Sequence, residues 1–354
     1  LHPRVRRQRQ MCIRDSLAER RRKNDMIYFL YLIVIVFLNS FIAGARNDNI
    51  GTDISFYAYR VFHTDAYLDL EDAEIDLTIV LLAKFVHLFS DTFGVFLFLI
   101  EAWIMGFACY AATLMRKKLS IVLFISFFCL MAYNQSLNIM RQSMAMSVMM
   151  CMLAYLMRKE YIKVVAFMVV AYFCHSTSVI GLLFIIAYYC VQQFGIKKTF
   201  LFVLFMGGIL VVSFNILFYN LISIALSNNL LASQYERYAV GDYGETSKTA
   251  ILICIMYIIP FLIILKNKPK VENFLTIFAL VMSLALAYCS LGGEIVSRIR
   301  LYFTYVNILF FSISLYRERK CVTWLVLVIA VFNFVISIWT VSYTHLTLPT
   351  NSRV

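Results

Sequence analysis

The sequence predicts an all-α, polytopic membrane protein, a bundle of about eleven to twelve transmembrane helices in one domain. Three observations predict it. Hydrophobic residues make up 62% of the 354 positions and charged residues only 15%, against roughly 45–50% and about 25% in a soluble chain. Mean hydropathy is +0.79. With 4 prolines and 12 glycines, linkers and β-rich loops are scarce. This balance excludes a soluble enzyme, a disordered chain and a nucleic-acid-binding domain. The formal charge of +12 is therefore read for its placement, because basic residues orient membrane helices.

The two ends differ in character from everything between them. Residues 1–16 (LHPRVRRQRQMCIRDS) and 341–354 (VSYTHLTLPTNSRV) read as non-native tails. The native start is expected near Met26 and the native C-terminus beyond the last helix, leaving 17–340 as a single membrane domain.

A bilayer core needs roughly 20 apolar residues in a helix. Candidate spans are 26–43, 93–115, 119–133, 138–157, 161–174, 176–192, 199–220, 249–265, 273–291, 299–316 and 321–340. The pieces 161–174 and 176–192 are short and read as one broken helix or a tight hairpin. The stretch 77–90 contains Lys84 and His87 and reads as an interfacial or re-entrant segment. The cysteines sit in or beside apolar runs with no CxxC pair, as packing residues do. His63, His87 and His175 are too separated for a zinc signature. No metal or other cofactor is expected.

Five loops hold Arg116, Lys117, Lys118; Arg158, Lys159, Lys163; Lys197, Lys198; Lys266, Lys268, Lys270; and Arg317, Arg319, Lys320. All fall on one side if the N-terminus is cytoplasmic and both short segments cross. The loop 44–92 holds nine acidic and three basic residues. It is placed on the extracytoplasmic side, with 134–138, 221–248 and 292–298.

Polar residues gather on that outer side. Arg141 opens an apolar helix, and Asn138, Arg141, Gln142 and Ala145 follow the spacing of one helical face. A charge in a membrane helix costs about 2.5–3.5 kcal/mol on insertion scales and marks function by default. Arginine stays protonated, and its planar fork suits phosphate. The structural alternative is snorkelling to headgroups. Arg298 shares its face with Glu294, Tyr302 and Tyr305, and a salt bridge to Glu294 is its structural alternative. Arg300 points elsewhere and reads as the snorkeller. In the first outer loop Gly51-Thr52-Asp53 reads as a turn with Arg46 and Asp53 beside it, and Tyr57 and Phe62 can stack on a sugar; a plain solvated loop is the structural alternative. His175 lies at the joint of the two short segments beside Ser176. Irregular backbone there requires a cavity or burial in protein, and a neutral imidazole can serve as a general base or simply be a packed structural residue. The loop 221–248 interleaves tyrosines with charges, a composition that suits carbohydrate and equally any exposed loop.

Arg46…Gly51-Thr52-Asp53…Tyr57, Asn138-x-x-Arg141-Gln142, His175-Ser176 and Arg298-x-x-x-Tyr302-Phe303, in this order over about residues 26–316, resemble the EpsG family, Wzy-like polymerases of bacterial exopolysaccharide and capsule. The resemblance implies a membrane glycosyltransferase of GT-C-like architecture in the bacterial inner membrane, inverting and metal-independent. Such enzymes move a growing glycan from one polyprenyl diphosphate carrier onto the sugar of another carrier-linked repeat unit. The implied partners are that glycan carrier, the bilayer and a chain-length regulator. No nucleic acid is implied. On this reading His175, Asp53 and Arg141 are the catalytic candidates. Arg46, Gly51, Tyr57, Asn138, Gln142, Ser176, Arg298 and Tyr302 are the substrate-binding ones.

Two other classes compete. A transporter of polysaccharide or lipid carrier should carry polar residues at mid-membrane or on both sides, with internal repeats. A membrane acyltransferase needs a histidine paired with a carboxylate, and His175 has no acidic residue near it in sequence. A ligase of the O-antigen type shares the donor chemistry and stays open.

Overall fold

In a bilayer the backbone must satisfy its own hydrogen bonds, and chains this apolar close into helices. The computed structural model describes residues 25–46, 54, 57–63, 76–227, 248–288, 293–316 and 318–347, and among them every regular element is helical. Helix α1 is Asp25–Gly44, followed by a π-helical turn at Tyr57–Phe62. Next come α2 (Leu77–His87), α3 (Phe93–Leu114), α4 (Ile121–Met131), a single turn at Tyr133–Ser136, and α5 (Met140–Met157). Then follow α6 (Tyr161–Cys174), a 3₁₀ turn at Ser176–Ile180, α7 (Gly181–Ser227), α8 (Lys248–Asn267), α9 (Val271–Tyr288), α10 (Gly293–Ser314) and α11 (Lys320–Thr347).

Among the described residues five stretches, Asp25–Gly44, Phe93–Leu114, Ser176–Ile209, Ala250–Asn267 and Val271–Tyr288, are long and apolar enough to cross a membrane. Shorter apolar helices accompany them at Ile121–Met131, Tyr161–Cys174 and Lys320–Ile336. The protein is an all-α polytopic membrane protein. Helices α5 and α10 are less apolar because they carry Arg141, Gln142, Ser143 and Ser147, and Arg298, Arg300 and Asn307. Helix α11 runs on to Thr347 without a break at 340. Helix α7 reaches Ser227, inside the stretch expected as loop 221–248. Residues 1–16 and the rest of that loop lie outside the described residues.

Helix α5 is the axis of the bundle. Every residue from Gln142 to Leu156 is buried, as expected of a helix enclosed on all sides. It packs most extensively on α3 and α6, with Ala145, Ser147, Cys151 and Ala154 letting its neighbours approach. At its far end Lys159 adopts φ 62°, while Glu160 N–H donates to Tyr155 O at 3.1 Å and Lys159 N–H to Leu156 O at 3.0 Å. This is a helix-terminating motif with lysine where glycine is usual, and it turns the chain back into α6. Tyr161 near the start of α6 meets Tyr189 of α7, ring centroids 6.0 Å apart. The two short segments therefore form a hairpin with His175 at its tip. Gly195 (φ 76°, ψ 164°) then breaks α7 before Lys197 and Lys198.

Ion pairs tie the basic loops together at one end. Arg116 pairs with Asp25 at 2.7 Å, Lys118 with Glu272 at 3.0 Å, and Lys268 with Glu318. Arg158 reaches Glu160 at 2.6 Å and Leu114 O at 3.3 Å. Four of the five basic loops, those of Arg116, Arg158, Lys268 and Glu318, thus meet at one end of the fold. At the opposite end α1 crosses α3 so closely that a Cβ on Gly44 would stand 2.7 Å from Gly94 O. This crossing places Arg46 against the start of α5.

Candidate functional site

Asp76 is the hub of the site. One of its oxygens, Oδ2, accepts from His175 Nδ1 at 3.0 Å and pairs with Arg141 Nη1 at 3.1 Å. The carboxylate and the guanidinium are only 17% and 20% exposed. Each group comes from a different element. Asp76 is the N-cap residue of α2, His175 follows α6 at the hairpin tip, and Arg141 is the second residue of α5. The first turn of α2 is fastened to the end of α6 by Thr78, whose hydroxyl donates to Phe173 O at 2.8 Å. Its last turn is fastened by His87, which meets Phe62 O at 3.0 Å and stacks on the Phe62 ring.

Asparagine, aspartate and serine at an N-cap usually accept from their own helix, a contact worth about 1 kcal/mol. The Asp76 side chain makes no such bond and turns to Arg141 and His175 instead. Local capping is forgone in favour of the cluster, a local violation of the kind expected at working sites.

Tyr57 completes the wall. Its hydroxyl accepts from Arg141 N–H at 3.4 Å, meeting one of the unsatisfied donors of the first turn. The Arg141 guanidinium carbon stands 5.9 Å from the Tyr57 ring centroid, within cation–π range.

Deeper along α3 lies a second polar cluster. Glu101 is 2% exposed, eight residues from the start of α3, or about 12 Å along its axis. Ser136 Oγ donates to Glu101 Oε2 at 3.0 Å. Arg46 Nη1 donates to Leu137 O at 2.6 Å. Arg46 Nε and Glu101 Oε1 are both buried without a hydrogen-bond partner. Burial pulls the Arg46 pKa down to about 10, opposed by the charge of Glu101, so Arg46 stays cationic at neutral pH.

Other candidates are distributed unequally. Gln142 Nε2 donates to Arg298 O at 2.6 Å, joining α5 to α10. Tyr302 OH meets Thr177 Oγ1 at 2.9 Å, joining α10 to the hairpin tip. Arg46, Tyr57, Arg141, Gln142, His175, Arg298 and Tyr302 thus belong to one end of the bundle. Asn138 departs from expectation. Helix α5 begins at Met140, so Asn138 lies in the turn before it rather than on a shared face with Arg141. The irregular Ala132 and the single turn Tyr133–Ser136 take up the residues a longer helix would have used. Ser176 is exposed on the 3₁₀ turn. Gly51 and Asp53 lie outside the described residues.

The sequence reading passed over Glu101 and Asp76. Glu101 had a usable signal, a lone carboxylate inside an apolar run. Asp76 had none, as one of nine acidic residues in its loop. It also supplies His175 with the carboxylate that sequence proximity could not, from 99 residues away.

Helix α10 has a second face. Arg300, Thr304, Asn307 and Phe311 line a cavity of about 380 Å³ with Asn134, Gln135, Tyr257 and Asn333. Arg300, expected among headgroups, lines this cavity instead, because α8, α9 and α11 close over that face.

Among the described residues no group of three or more His, Cys, Asp or Glu side chains is placed to hold a metal ion. The chain matches the EpsG family over residues 28–352, nearly its whole length. No curated protein and no solved structure matches it.

Proposed function

The chain belongs to the EpsG family, which implies a polysaccharide-polymerase-like role, and from that premise we propose that it elongates glycans carried on polyprenyl diphosphate at the outer face of the bacterial inner membrane. The observation that carries this reading is the Arg141–Asp76–His175 cluster at the end of the bundle opposite the basic loops. By the positive-inside rule that end is extracytoplasmic.

The chemistry follows from the geometry. With Nδ1–H donated to Asp76, the imidazole keeps its basic Nε2 free for the acceptor hydroxyl. As that oxygen bonds to the anomeric carbon of the donor, its proton passes to Nε2. The bond from the anomeric carbon to the diphosphate breaks, and the diphosphate departs with the electron pair. Asp76 stabilises the imidazolium that forms. Arg141, standing on the positive N-terminal end of α5, meets the charge developing on the diphosphate. Direct displacement inverts the anomeric centre. Asp53, Gly51 and the bound carrier remain part of the proposal.

A histidine–carboxylate pair also serves acyl transfer, so the reading needs a test that separates the classes. Cells carrying Arg141→Ala or His175→Ala, with the protein present at wild-type level, are expected to make short or no polymer. Arg141→Lys is expected to rescue poorly, because a point charge does not reproduce bidentate phosphate contact. Long-chain polymer from both alanine variants overturns the assignment. Acylated glycan of normal length points to the acyltransferase.

A further inference from the structure

We propose that the cavity on the other face of α10 is a second anion site that takes the phosphate of a lipid-linked glycan, with Arg300 on the phosphate and the amides of Gln135 and Asn333 on adjoining hydroxyls. The choice of a glycan-bearing lipid rests on the polymerase reading. The anion site itself does not.

Four observations converge. Arg300, Thr304, Asn307 and Phe311 all line the cavity and follow one another at helical spacing, so one stripe of α10 faces it. Tyr302 and Tyr305 turn the other way, toward Thr177 and Ser143. Secondly, no carboxylate pairs with Arg300 among the described residues, whereas Arg116, Lys118, Arg141, Arg158, Lys163 and Lys268 each have one. A guanidinium cannot shed its proton to escape burial, so it calls for an anion. Thirdly, the lining carries the amides of Gln135 and Asn333, hydrogen-bond groups suited to hydroxyls. Fourthly, a volume of about 380 Å³ lies in the range of small-molecule sites.

An anion beside hydroxyl donors describes a phosphorylated sugar better than a bare phosphate. The lining also offers Tyr257 as an aromatic wall. A polymerase handles two carrier diphosphates in each cycle. The Arg141 guanidinium already shares Asp76 with His175, while Arg300 stands ready for the other.

The test is native mass spectrometry of the purified full chain, titrated separately with polyprenyl diphosphate oligosaccharide, bare polyprenyl diphosphate, phosphatidylglycerol and inorganic diphosphate. The wild type is expected to retain the glycan-bearing carrier best. Arg300→Gln, close in size, is expected to weaken its retention about tenfold, and Asn333→Leu to erase the preference for the glycan-bearing over the bare carrier. Equal retention by the wild type and Arg300→Gln overturns the proposal. So does a preference for phosphatidylglycerol, which would make the cavity a headgroup seat. Arg300-dependent retention without polymer formation sinks the polymerase reading and leaves the anion site standing. Wild-type kcat and KM in Arg300→Gln do the reverse.

Discussion

Arg141 and Arg300 stand on opposite sides of α10, and they differ in what neutralises them. Arg141 is held by Asp76, by the ring of Tyr57 and by its own helix start. Arg300 faces about 380 Å³ of open space and no carboxylate among the described residues. A cation fixed by a neighbour that also fixes a histidine is arranged for chemistry, where geometry must be set before substrate arrives. A cation left over beside a volume is arranged for binding, where the ligand completes the charge balance. The same residue type, on two different helices, thus reads as two different devices because of its surroundings.

This contrast can be broken by mutation, and the largest effects belong to the paired side. Asp76→Asn should keep the shape of the side chain but lose the tautomer control of His175 and the charge beside Arg141. Carboxylates in comparable histidine pairs are worth up to about 10⁴-fold, so a loss of about 10³-fold in polymer formation is expected, measured against protein level in isolated membranes. His175→Ala removes the base alone and should lower the rate by about 10²–10³-fold, within the usual range for general base catalysis. If polymer length is unchanged in Asp76→Asn, the hub has no role in the reaction.

On the binding side the expectation is smaller and of another kind. Arg300→Gln should raise KM for the glycan carrier about tenfold, roughly 1.4 kcal/mol, with kcat nearly intact, as steady-state kinetics would resolve. Smaller still for activity is Gly44→Ala. The added methyl would meet Gly94 O at 2.7 Å, so α1 and α3 must part. A loss of about 1–3 kcal/mol in stability is expected, read as a lower unfolding temperature of the purified protein, with turnover kept below that temperature.

Much of this was legible in the sequence, for reasons that differ by residue. Arg141 stood out because a charge at the head of an apolar run is rare, and His175 because it sits between two runs too short to be ordinary spans. The basic end was legible because lysine and arginine recur at every second loop, and the ion pairs Lys118–Glu272 and Lys268–Glu318 hold those loops together. Asp76 was not legible, since nothing local distinguishes it from Asp72 or Glu74, and its role depends on α2 being pinned to α6 through Thr78. The opposed faces of Arg298 and Arg300 were visible from their spacing. Which face would border a cavity was not, because that depends on how α8, α9 and α11 dock. Asn138 was misplaced on the α5 face because helical spacing was extended across a turn, and single-sequence patterns blur such starts.

The central claim is that Asp76, His175 and Arg141 act as one unit. Turnover of a polyprenyl diphosphate oligosaccharide by purified protein, compared for His175→Ala, Asp76→Ala and the double variant, tests it most directly. Residues acting as a unit lose their function together, so the double variant should be about as slow as the slower single one, releasing almost no polyprenyl diphosphate. Losses that multiply in the double variant, or a wild-type rate in either single one, would contradict the account.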